Sequence, residues 1–282
     1  MGSLSAKLRR AQWKLGRRLY MTARGEPQSN LPDSSDERYM QAATLAALGD
    51  GPATILDVGA NKGQWSSQLL GLASTALRSP DRLHLHAFEP VPATREVYKS
   101  KLAATPGGDC ATLHPLALSN AAGTAEIAIW GETAGTNTLS FDDSSVGRAQ
   151  RVLTIETTTL DSFLAEHGID HVALLKIDAE GHDFLVLQGG QASLAAGKID
   201  AVQFEYSHRW IYARQFLRDV FRLIEDLPYT LCRIRHDGLE HIAEWHPELE
   251  RYFDANFALV HERVEGRYAI HRGAFDGGNT YA

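Results

Sequence analysis

The sequence predicts an α/β fold: a mostly parallel sheet with helices on both faces. Three observations carry that expectation. Apolar runs at 53–58, 83–88, 111–116, 172–178 and 199–205 read as buried strands. Helical patterns at 62–77, 91–104, 159–167, 182–196 and 209–226 alternate with them. A glycine-spaced turn, Asp57-Val58-Gly59-Ala60-Asn61-Lys62-Gly63, closes the first run where a helix is due to begin.

The chain starts with a chemical outlier. Residues 1–24 carry Lys7, Arg9, Arg10, Lys14, Arg17, Arg18 and Arg24 and no acid. Leu4, Leu8, Ala11, Leu15 and Leu19 recur at helical spacing, with Trp13 and Tyr20 nearby. Such a basic amphipathic helix can lie on an anionic membrane. It can equally pack its leucines on the main domain or on a second copy, which makes a homodimer sensible. Residues 25–35 are a loop by composition, and Asp36 to Leu48 reads as a helix closed by Gly49 and Gly51. The expected division is a helical extension over 1–50, one domain over 51–265 and a loose tail over 266–282. Within the domain, 124–130 and 152–158 are further strands around a polar loop, Gly131 to Gln150. Strands at 229–235 and 256–262 complete a seven-stranded sheet with an antiparallel edge hairpin.

Composition narrows the function. The chain has 282 residues, 44% of them hydrophobic, and a net charge of −7. That charge argues against a generic nucleic-acid binder. Cys110 and Cys232 each sit in an apolar segment, which suits buried thiols in a reducing compartment better than a disulfide framework. No apolar run reaches the roughly 18–20 residues that span a bilayer, and no signal-peptide core is seen. The expected location is cytoplasmic, with membrane-peripheral contact through residues 1–24 as the variant.

In open α/β sheets, ligands bind outside the carboxyl ends of the strands. The first strand delivers Asp57 and the turn, whose glycines let the backbone of Gly59, Ala60, Asn61 and Gly63 approach a ligand. The acid suits a ligand bearing cationic groups. The motif is not Gly-x-Gly-x-x-Gly, which counts against a nicotinamide enzyme. The second strand delivers Glu89, whose two oxygens can accept both hydroxyls of a ribose. The third delivers Leu116 and Ala117, which can line an adenine pocket or be plain core. The fourth ends Lys176-Ile177-Asp178-Ala179-Glu180-Gly181-His182-Asp183, and the fifth ends Phe204-Glu205-Tyr206-Ser207-His208-Arg209-Trp210. Ionisable residues this dense at two strand ends are expensive without a task.

The run Leu175-Lys176-Ile177-Asp178-Ala179-Glu180-Gly181, followed by Val186-Leu187-Gln188-Gly189, resembles the signature of the FkbM family of S-adenosylmethionine-dependent methyltransferases. The Asp57–Gly63 turn, Phe88-Glu89-Pro90, Leu116-Ala117-Leu118-Ser119 and Thr157-Thr158-Thr159-Leu160-Asp161 agree with it. The chain departs from the family at His182-Asp183, where a small residue and an acid are usual. The resemblance implies a Rossmann-like class I methyltransferase fold and S-adenosylmethionine bound by Asp57, Gly59, Ala60, Asn61, Gly63, Glu89, Leu116, Ala117 and Asp178. It also implies a hydroxyl acceptor on a sugar, glycolipid or polyketide.

Candidate bases for the acceptor proton are His208, His182, Asp178 and Glu205. Asn137, Glu180, Tyr206, Arg209 and Trp210 are expected on the acceptor side, within a polar loop and an aromatic–cation run. A second device is Mg²⁺ held by Asp178 and Glu205, since hard oxygen ligands suit that ion. It is not the favoured one. A cofactor-binding relative without catalysis remains the alternative.

Overall fold

The computed structural model describes residues 2–24, 35–77, 79–131, 135, 137–139 and 149–272. The elements run α1 Gly2–Ala23, α2 Ser35–Ala47, β1 Ala53–Val58, α3 Gln64–Ala76, β2 Leu83–Phe88, α4 Pro92–Ala103, β3 Ala111–His114 and β4 Ala117–Ser119. Then come β5 Gly123–Ile129, β6 Arg151–Thr159, α5 Leu160–Glu166, β7 Leu174–Ile177, α6 Asp183–Gly189, α7 Gln191–Ala195 and β8 Ala201–Tyr206. The chain continues with α8 Trp210–Ala213, α9 Leu217–Leu223, β9 Tyr229–Arg235, β10 Gly238–His241, β11 Ala255–His261 and β12 Ile270–His271.

The main sheet has the order β12-β10-β9-β11-β8-β7-β1-β2-β3. Its strands from β3 to β8 are parallel, and β11 runs antiparallel to both β8 and β9. Parallel strands need both faces covered, and the side chains of β1 show the division. Leu56 and Val58 enter an apolar layer with Leu175, Phe204, Phe163 and Leu187. Ile55 enters the opposite layer with Leu69, Leu85 and Leu174. Asp57 shares the face of Ile55 by the two-residue period of a strand.

The expected seven strands are present, with β11 lodged between β8 and β9, and two short strands extend the sheet beyond them. The two-residue link His236-Asp237 folds β10 back onto β9 as a hairpin inside the stretch expected to be a polar connection. The tail is tied down further than expected. Ile270 pairs with Leu239, and Tyr268 is buried with its hydroxyl against Thr44. Residues 273–282 lie outside the described region.

Three predicted elements are divided. The third strand leaves the main sheet at Pro115, which has no N–H for a ladder. Its continuation, β4, joins β6 and β5 in a separate three-stranded sheet. The helix expected over 182–196 is interrupted at Gly190, just after Gly189 passes so close to β4 that a Cβ there would stand 2.0 Å from the Ser119 carbonyl oxygen. The helix expected over 209–226 breaks at Arg214, which is left-handed with φ 56°. In the extension, α2 belongs to the core: Met40 and Leu45 are buried in the layer of Ile55. By contrast, α1 is exposed over residues 5–20. Its Leu8, Leu15 and Leu19 do not pack on the domain. It touches the body instead through Arg17 over Phe253 and the Tyr20 hydroxyl, which donates to Glu248 Oε2 at 3.0 Å.

Candidate functional site

The tips of β1, β2 and β7 and the start of β4 surround a cavity. Gly59, Asn61, Glu89, Ala117, Asn137, Asp178 and Glu180 line it, with Phe88, Val91, Leu118, Ile127 and Leu139 as apolar wall. Residues from six segments far apart in sequence thus face one space.

Local geometry explains the turn at its floor. Gly59 and Ala60 donate their N–H groups to the Phe88 carbonyl at 3.1 and 2.9 Å, locking the turn to the end of β2. Gly59 has φ 74°, and a Cβ there would lie 1.9 Å from the Asp178 carbonyl oxygen. Gly63, with φ 77°, lets α3 close on Tyr98 and Leu102 of α4. It shapes the turn without lining the cavity. Ala60 is likewise buried behind it. Asn61 (φ 47°) turns into the cavity wall, and its buried Oδ1 has no hydrogen-bond partner.

Asp57 does not reach the cavity. It is fully buried on the α3 face, where Ser66 Oγ donates to Oδ2 at 2.6 Å and Lys176 Nζ stands 3.1 Å from Oδ1. Lys176 is its register partner on β7. The lysine also lies 3.5 Å from Asp178 Oδ2 and donates to the Gly59 carbonyl at 3.3 Å. Burial lowers its pKa, but Asp57 and Asp178 hold it above the ordinary value. Lys176 therefore ties the first turn to the fourth strand tip. The sequence carried a signal for it, a lysine inside Leu174-Leu175-Lys176-Ile177, where only a paired charge survives burial.

Glu89 is buried in the cavity wall, its Oε1 accepting the Val91 N–H at 2.8 Å. Burial raises its pKa to about 7, against the lowering effect of the Val91 and Asn61 N–H groups. At the β7 tip, Glu180 (φ 53°) pairs with Arg209, Nε to Oε2, at 2.5 Å. Burial and the neighbouring Asp178 raise the Glu180 pKa to about 8, with Arg209 opposing. Asp183 holds the turn from beneath, accepting the N–H groups of Ala179 and Gly181 at 3.2 and 3.0 Å. Its complete burial raises its pKa to about 7.

Several expected site residues lie elsewhere. His182 turns away from the cavity; its Nε2 shares a 2.9 Å hydrogen bond with Ser119 Oγ, and burial lowers its pKa to about 4. His208 is exposed, 3.5 Å from Asp254. Tyr206 is core, donating its hydroxyl to Glu250 at 2.5 Å, and Trp210 is fully buried, donating Nε1 to the Glu205 carbonyl at 2.9 Å. Neither ring offers a face to a sugar, because each belongs to the layer beneath β8. Leu116 also packs into that layer. Glu205 stands behind the lining; burial and then the carboxylates of Asp178, Asp183 and Glu180 raise its pKa. Asn137 does line the cavity, but its amide caps its own loop through Trp130 N–H and the Gly131 carbonyl. Among the described residues no group of three or more His, Cys, Asp or Glu is placed to hold a metal ion.

The family model described as "Methyltransferase FkbM domain" matches residues 57–252. No curated protein matches the chain significantly. Similar solved structures include a methyltransferase FkbM from Methylobacillus flagellatus KT, 14% identical with TM-score 0.46 over 77% of this chain. The chain spans 47% of the length of that protein. Cofactor-bound Rv0187 from MTB is 10% identical, with TM-score 0.44 over 84% of this chain and 83% of that one. CalS11, a TDP-rhamnose 3'-O-methyltransferase of calicheamicin biosynthesis, is 14% identical, with TM-score 0.40 over 87% and 93%.

Proposed function

Because the chain belongs to the FkbM methyltransferase family, we propose that it moves the methyl group of S-adenosylmethionine to a hydroxyl oxygen of a sugar, glycolipid or polyketide-type acceptor. The observation that carries this reading is the convergence of Asn61, Glu89, Asp178 and Glu180 on one cavity at adjacent strand tips.

The donor set fits an adenosyl cofactor. The unpartnered Asn61 Oδ1 and the Glu89 carboxyl are acceptors that match ribose hydroxyls. Ala117, Leu118 and Ile127 offer an apolar wall for a base, and Asp178 offers a carboxylate for the amino group. When bound, the cofactor supplies a methyl group already activated by its sulfonium. The protein's own work is to align the acceptor, exclude water and take its proton. We assign the last task to Glu180. It faces the cavity, its pKa of about 8 is near neutrality, and Arg209 fixes its orientation. The two histidines lack access to the cavity.

Calorimetric titration with S-adenosylhomocysteine and with NAD tests the cofactor. Binding of the first alone supports the reading, and binding of NAD alone or of neither overturns it. Glu89→Gln removes one of the two forked oxygens. Affinity for S-adenosylhomocysteine is expected to fall roughly ten- to hundred-fold, the range of a hydrogen bond to a charged group. The ionised Glu89 accepts two hydroxyls, so wild-type affinity should weaken as pH drops through about 7, and the Gln variant should lose that dependence. Glu180→Gln should leave cofactor affinity intact while turnover falls roughly 10²–10⁴-fold. A base acts deprotonated, so wild-type turnover should rise with pH up to about 8. Turnover that survives EDTA favours this base over the Mg²⁺ reading.

A further inference from the structure

We propose that α1 seats the protein on an anionic membrane, with its leucine stripe in the acyl boundary and its cations on lipid phosphates. This goes beyond the methyl-transfer reading and does not rest on it. At about 100° per residue, the helix carries two stripes roughly half a turn apart. Trp13, Arg17, Tyr20 and Arg24 form one; Arg17, Tyr20 and Arg24 meet the body, while Trp13 itself is 61% exposed. Arg17 packs between Trp13 and Phe253, Tyr20 bonds Glu248, and the Arg24 carbonyl accepts from Arg233 at 2.6 Å. Leu8, Ala11, Leu15 and Leu19 form the other, facing away from the body. Leu8, Leu15 and Leu19 are 61%, 59% and 61% exposed.

Docking through Arg17, Tyr20 and Arg24 thus holds the leucines outward, and a contiguous exposed apolar stripe marks an interaction surface. Charge selects the occupant. Lys7, Lys14 and Arg18 border the leucine stripe, and α1 has no carboxylate, although the whole chain is at −7. A second copy laid stripe to stripe would bring two cation rows together. A nucleic acid would use the cations and leave the leucines in water. An anionic bilayer satisfies both.

Flotation of the full chain with vesicles of equal phosphatidylglycerol and phosphatidylcholine, against phosphatidylcholine alone, is the test. The protein should float with the anionic vesicles and be released by molar salt. Replacing Lys7, Lys14 and Arg18 by Gln should lower partitioning roughly a hundred-fold. Leu8→Glu with Leu15→Glu should abolish it, with thermal stability and cofactor titration unchanged. The proposal is overturned by no flotation of the wild type, by equal binding to both vesicles, or by leucine variants that float like wild type. It is equally overturned if light scattering shows a dimer that Leu15→Glu dissolves while vesicles bind nothing. Vesicle binding and cofactor binding are separate readouts, so either can fail without the other.

Discussion

Replacing Lys176 with methionine will lower the unfolding free energy by about 3–5 kcal/mol, because it leaves a buried charge without its partner. Asp57 has no exposed surface, and its remaining donor is the Ser66 hydroxyl. Lys176 is itself 3% exposed, so no water replaces it. For a domain of this size the loss corresponds to roughly 10 °C in Tm. The double variant Lys176→Met with Asp57→Asn should recover most of it, since an amide oxygen can still accept from Ser66 and no charge is left behind. Thermal unfolding of the two variants checks both halves. A single variant as stable as wild type would show that the pair does not hold the turn to the strand.

Gly59→Ala is expected to abolish binding of S-adenosylhomocysteine, by about a hundred-fold or more, the order of effect for displacing a site by an ångström. Two independent demands meet at this residue. Its φ of 74° costs an L-residue about 1–2 kcal/mol. The added Cβ would also stand 1.9 Å from a backbone oxygen of Asp178, so the tips of β1 and β7 must separate. That separation opens the cavity between Asn61 and Asp178. The control is Gly71→Ala, within α3, where a Cβ meets nothing within 4 Å. That change should leave binding unaltered and add up to about 1 kcal/mol of helix stability. Calorimetry and circular dichroism on both variants give the comparison.

The parts of this arrangement that were legible in the sequence depend on local pattern. The strand tips could be placed because apolar runs end where polar residues begin, and Gly59, Asn61, Glu89, Ala117, Asn137, Asp178 and Glu180 do face one cavity. What local pattern does not carry is the face each side chain takes. Asp57 was expected at the ligand, yet strand alternation turns it toward α3, and only the register with Lys176 shows why an acid belongs there. His182 and Trp210 sit beside the site in sequence and point away from it. His182 reaches Ser119 across 63 residues of chain, a contact no window reveals. At this point the chain departs from the family pattern only in His182, whose ring bonds Ser119, while Asp183, an acid as in that pattern, accepts two N–H groups of the turn that presents Glu180. The breaks at Pro115, Gly189 and Arg214 arise from tertiary approach and turn geometry, which periodicity alone averages away. The β9–β10 hairpin had a signal in its Asp237-Gly238 dipeptide, masked by the charged residues around it.

A crystal structure with S-adenosylhomocysteine is the most direct test of the central claim, that one cavity at the tips of β1, β2 and β7 receives the cofactor. The expected result is a ribose against Glu89 and Asn61, with the sulfur directed toward Asp178 and Glu180. A nucleoside bound anywhere else, or a cavity left empty at saturating ligand, would contradict it.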